Sequence, residues 1–132
     1  MKATTMSLLV SAAFTAAPLA MAHHSFAPFD RTKETTLTGT IKEFQWANPH
    51  AWIQIIVTDG QGRATEWSVE CGSANMLART GWKRSTLKPG DTVVATVNPL
   101  RDGRPNGALV TITLSDGTVL GPGDAPKPLP IR

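Results

Sequence analysis

Tyrosine is missing from the 132-residue chain, and cysteine occurs once, at Cys71. A single thiol cannot close an intramolecular disulfide, so no covalent framework holds this fold and its stability must come from a packed core. Along Trp67-Ser68-Val69-Glu70-Cys71 the alternation puts Trp67, Val69 and Cys71 on one face, which marks the thiol as a small buried apolar residue. Charge is sparse too, with 13 Lys and Arg against 10 Asp and Glu, a net of +3, and Lys83-Arg84 as the one adjacent basic pair. So weak and scattered a basic balance argues against nucleic acid as a partner and for a solvated surface of mixed charge. No G-x-S-x-G elbow, C-x-x-C, H-E-x-x-H or glycine-rich phosphate loop occurs, so no catalytic motif speaks for an enzyme.

Long apolar runs are confined to the amino terminus. Lys2 supplies a positive start, a stretch of Met, Leu, Val, Ala and Phe runs from Met6 to Ala20, and Ala20-Met21-Ala22 sets small residues where a signal peptidase reads. The run is shorter than the roughly 20 residues a bilayer needs, and Pro18 breaks it. The expectation is a cleaved signal peptide over residues 1–22, a mature protein beginning at His23, and a periplasmic or secreted location without a membrane span. Removing 22 of 132 residues leaves 110, enough for one domain with one core.

Period-two patterning dominates what remains. Leu37, Gly39 and Ile41 share a parity that Phe44 and Trp46 break, so a β-bulge near Lys42-Glu43 is expected to bend the first strand. Ile53, Ile55 and Val57 form one face of a second strand, with Trp52, Gln54 and Ile56 on the other. Asp59-Gly60-Gln61-Gly62 reads as a hairpin turn into a third strand over residues 64–71. Ser73 can cap a short helix from Ala74 to Thr80, stopped by Gly81 and carrying Met76 and Leu77 inward. A fourth strand presents Val93, Ala95 and Val97. A fifth presents Val110, Ile112 and Leu114 opposite Leu109, Thr111 and Thr113, and a short tail strand over 118–120 follows. Three strands, a short helix and two more strands is the order of a small, mostly β, five- to six-stranded OB-like barrel. An open sandwich or another meander barrel fits the same periodicity. The domain is expected to span 23–120, with a flexible Pro-rich tail over 121–132.

The segments H-H-S-F-A-P-F-D, N-P-H-A-W-I, G-S-A-N-M-L-A-R-T-G-W and L-K-P-G-D together resemble a family of small exported proteobacterial proteins known as a domain of unknown function. The likeness spans nearly the whole mature chain. It implies an exported single-domain β protein and carries no catalytic residue over to this chain. Pro often stands in that family where this chain has Ala74, which leaves the helix start less rigid here.

Chemistry concentrates in the histidines. Cleavage before His23 would create a free α-amino group beside an imidazole on the same residue, a two-nitrogen chelate that needs no folding to form. His24 and His50 can supply a further nitrogen, and nitrogen-rich tetragonal sets favour Cu(II). His23, His24 and His50 are therefore the candidate metal ligands and Cu(II) the candidate cofactor. The competing reading is a ligand- or protein-binding module without metal, recognising a cell-envelope component or a protein through Trp52 and Asn48. Trp52 flanks His50 and lies on the parity opposite the Ile53 face, where its ring could form a site wall. Glu66, Ser68 and Glu70 share a strand face read as solvated.

Overall fold

The computed structural model describes residues 28–123, so the expected signal segment 1–22, His23, His24 and the tail from residue 124 lie outside the described residues. The elements are β1 (Thr35–Gln45), β2 (Trp52–Thr58), β3 (Ala64–Glu70), α1 (Ala74–Arg79), β4 (Thr92–Pro99), β5 (Asn106–Thr113) and β6 (Val119–Leu120). Their sheet runs β3-β2-β1-β4-β5-β6, and a parallel contact between β3 and β5 closes the first five strands into a barrel. The protein is an OB-like β-barrel with one short helix between the third and fourth strands.

The bent first strand forms as its parity requires. Register slips between Ile41 and Glu43, so Lys42 is the extra residue, and Ile41 and Phe44 both turn toward the core. A second slip, opposite Thr96 and Val97, was not foreshadowed by simple alternation. Thr96 pairs with Thr111 and Val97 with Leu109, which leaves Val110 as the extra residue on β5. The buried apolar side chains of β5 are consequently Leu109 and Ile112; of the expected Val110-Ile112-Leu114 face, Ile112 and Leu114 keep to the core and Val110 is corrected to Leu109. Twist and closure are the reason, since a small barrel needs local kinks to keep two faces in phase.

At one end of the barrel, α1 acts as a plug. Ser73 Oγ accepts the Met76 N–H at 3.2 Å, and Gly81 follows at φ +96. Leu77 is fully buried with Trp82 and Leu87, but Met76 is 40% exposed and does not point inward as expected. Two helical turns give one inward stripe, and Ala74 and Leu77 take it. The chain beyond Leu120 stays docked: Trp82 Nε1 donates to the Gly121 carbonyl at 3.1 Å, and Gly72 N–H to that of Pro122 at 2.8 Å. Residues 121 and 122, expected in the tail, are thus bonded to the barrel.

Gly39 marks where β1 is squeezed between β2 and β4. A Cβ there would press into the Ile56 carbonyl oxygen and sit 2.8 Å from Ile55 Cγ2, whereas one at Gly60 would meet nothing within 4 Å. Gly39→Ala should lower stability by about 2 kcal/mol or more through overpacking, with Gly60→Ala near neutral, as read by urea denaturation. Equal midpoints for the two variants would contradict this packing.

Candidate functional site

The loop from Trp46 to Ala51 joins β1 to β2 and is stitched to the start of the plug. Ala74 N–H donates to the Ala47 carbonyl at 3.0 Å, and Ala51 exchanges backbone bonds with Gly72 and Cys71. The Asn48-Pro49 peptide in this loop is cis. Asn48 Oδ1 accepts the Asn75 N–H at 3.3 Å, so this expected ligand contact serves the helix start. His50 turns the other way: its Nδ1 lies 3.2 Å from the Cys71 carbonyl oxygen and 3.2 Å from Glu70 Oε1.

That arrangement sets the chemistry of the ring. A carbonyl and a carboxylate are both acceptors, so Nδ1 carries a proton between them, and in the neutral imidazole Nε2 keeps its lone pair. The His50 side chain is 36% exposed and that of Glu70 only 11%. Burial pushes the Glu70 carboxyl above its ordinary range, and the His50 charge pulls it partly back. Glu66, two positions upstream of Ser68, is exposed and paired with Lys42 at 2.6 Å. The solvated face expected of these carboxylates therefore describes Glu66 and is corrected for Glu70, which closure of the barrel against Ala108 covers.

Trp52 sits directly across from Glu70 on β3 and Gln45 on β1. It is half-buried and stands apart from the core cluster, on which Phe44, Trp46 and Trp67 pack. One step along the same outer face, Gln54 Nε2 donates to Ser68 Oγ at 3.1 Å. Ser68 is paired in turn with Asn106 of β5, whose Oδ1 is buried without a hydrogen-bond partner among the described residues. His50 and Trp52 are thus brought to one edge, and Glu70, Gln54, Ser68 and Asn106 join them unannounced. Strand parity could have placed Gln54 and Ser68 beside Trp52. It could not have placed Asn106, which arrives only through the parallel pairing.

The amino-terminal arm docks nearby. Phe29 is 3% exposed and forms a bridge with Leu100, Asp30 N–H donates to the Pro99 carbonyl at 2.8 Å, and Arg101 N–H to that of Pro28 at 3.0 Å. The loop between β4 and β5 also touches the outer face, since Ser68 N–H donates to the Pro105 carbonyl at 3.1 Å. Among the described residues no three His, Cys, Asp or Glu side chains cluster as a metal site, and no helix is long and apolar enough to cross a membrane. Cys71 is buried, and desolvation with the neighbouring Glu70 charge raises its thiol pKa far above the ordinary value.

Two outcomes follow from this geometry. Native Cys71 should resist iodoacetamide at pH 8 and react only after unfolding. Removing His50 should take the Nδ1–H donor away from the buried Glu70 carboxylate, so His50→Ala should cost about 1–3 kcal/mol at pH 7. The sign with pH is fixed: a folded pKa above the unfolded one means the fold holds the Glu70 proton more tightly, so stability from this group falls as pH rises between the two values. The His50→Ala deficit should therefore shrink toward pH 4, measured by denaturation at both pH values. A deficit that grows in acid would contradict the pairing.

Comparison with known proteins adds a family and a distant likeness. In structure the chain is similar to Rim1, the mitochondrial single-stranded DNA binding protein of S. cerevisiae, with a TM-score of 0.47 and 13% identity over 63% of this chain and 94% of that one. No curated protein matches the sequence. The model of the Family of unknown function (DUF6152) matches residues 9–109, and the chain belongs to that family.

Proposed function

We propose that the protein is an exported, non-enzymatic binding protein that holds Cu(II) between its processed amino terminus and His50. The observation that carries this reading is the double anchoring of His50 Nδ1, 3.2 Å from Glu70 Oε1 and 3.2 Å from the Cys71 carbonyl oxygen. Histidines that bind metals commonly donate their second ring N–H to a carboxylate or carbonyl, which fixes the tautomer and raises the basicity of the ligating nitrogen. His50 has that partner set, with Nε2 left to bind.

Reach supports the second half of the site. From Glu70 the barrel wall passes through Ala108 and Asn98 to the docked Phe29–Leu100 bridge. Those are three inter-strand spacings of about 4.8 Å each and a two-residue step from Asn98 to Leu100, roughly 16 Å in a straight line. Residues 23–27 form a five-residue chain that can span at most roughly 17 Å. A terminus at His23 would bring an α-amine and an imidazole, and His24 a third nitrogen. Together with His50 Nε2 they make the nitrogen-rich set that Cu(II) favours. The small-residue triplet Ala20-Met21-Ala22 supports the cleavage that would create it.

Cu(II) titration of the processed protein, followed by electron paramagnetic resonance, should give one ion per chain with several nitrogen ligands. One extra residue before His23 should abolish that spectrum, and His50→Ala should remove one nitrogen. Glu70→Ala should weaken binding about 10–100-fold through loss of the orienting carboxylate. A spectrum unchanged by the extra residue, or an exported form whose mass places its first residue elsewhere than His23, would overturn the proposal.

A further inference from the structure

We infer that the outer face of β2, β3 and β5 beside His50 is a binding site for a neutral glycan, with Trp52 as the stacking platform and Gln54, Ser68 and Asn106 as its hydrogen-bonding row. The inference stands apart from the copper reading, because none of these four residues is a proposed metal ligand.

Two independent features converge on this face. The first is Asn106 Oδ1, a buried acceptor with no partner among the described residues. A buried carbonyl oxygen without a donor costs the protein its lost hydration, so it needs a reason when the other buried side-chain polar atoms among the described residues are satisfied. Asn106 pairs with Ser68, and Ser68 Oγ already accepts from Gln54, which orders three short polar side chains in a line across three strands. The second is Trp52, one step along β2 from Gln54 and half-buried outside the core. An indole beside a line of donors and acceptors matches a pyranose ring, which offers an apolar C–H face for stacking and hydroxyls that both donate and accept.

Charge decides between a glycan and a nucleic acid. Glu43 faces Gln54, and Glu66 and Glu70 flank Ser68 on the same side. Lys42 is engaged by Glu66 at 2.6 Å, and Arg104 in the adjoining loop by Asp102 at 2.8 Å. With Lys42 and Glu66 offsetting one another and Arg104 held by Asp102, the face has no excess of positive charge to hold a phosphate backbone, whereas neutral hydroxyls need none.

Soluble tetramers of N-acetylglucosamine and of glucose, titrated into 15N-labelled full-length protein, should produce saturable NMR shifts at the Trp52 indole N–H and the Asn106 side-chain amide with at least one of them. Trp52→Ala should weaken that binding about tenfold or more. Asn106→Ala supplies the second readout: it should weaken binding several-fold while leaving the thermal midpoint unchanged or raised, because it deletes an orphaned acceptor. The form extended by one residue before His23 should bind the glycan as the processed form does, which separates this test from the copper test. No shift at millimolar glycan, shifts centred away from Trp52, a preference for an oligothymidylate probe, or a stability loss in Asn106→Ala that reveals a bound water as its only partner would each overturn the inference.

Discussion

Three residue pairs decide what is inside this protein and what is outside. The parallel contact of Ser68, Val69 and Glu70 with Asn106, Gly107 and Ala108 turns a twisted ribbon of five strands into a closed barrel. Without it β3 would be a free edge and Glu70 an ordinary solvated carboxylate. With it, Val69 is sealed into the core, Glu70 is covered to 11% side-chain exposure, and its charge must find a partner close by. That partner is His50, carried by a loop whose position is fixed by backbone bonds to the plug helix and to the residues just after β3. The closure therefore supplies both the barrel and its distinctive polar edge.

The same closure also determines the neighbours of that edge. It draws the β4–β5 loop against Ser68 through the Pro105 carbonyl, and this loop in turn anchors the amino-terminal arm at Phe29. Elements distant in sequence, from the arm to the end of β5, meet around a few side chains on one wall of the barrel. That wall is chemically mixed. It combines an oriented imidazole, an indole and short amide and hydroxyl groups, and the thiol behind it is buried and held protonated.

Much of the fold was legible in the residues because it is local. The parity break at Lys42, the Ser73 cap accepting the Met76 N–H three residues on, and the turn at Asp59-Gly60 each follow from neighbouring side chains, and each forms. Features that depend on pairing between distant strands were not legible. Nothing near Val110 signals the bulge that exchanges Val110 for Leu109 in the core, because the bulge answers the curvature of β4. Glu70 reads as solvated by strand parity, since parity gives its face but not the strand that later covers it. Asn106 joins that face for the same reason, through a pairing that no local pattern announces. Met76 lost the inward position to Ala74 because a helix this short has a single buried stripe.

The central claim is that barrel closure pins the His50 ring with Nδ1 as donor and Nε2 left to bind. Long-range 1H–15N correlation spectra of the imidazole, recorded above its titration range, test this most directly. The structure requires the Nδ1–H tautomer, opposite to the preference of a free histidine side chain. A ring found as the Nε2–H tautomer, or averaging freely between the two, would contradict it.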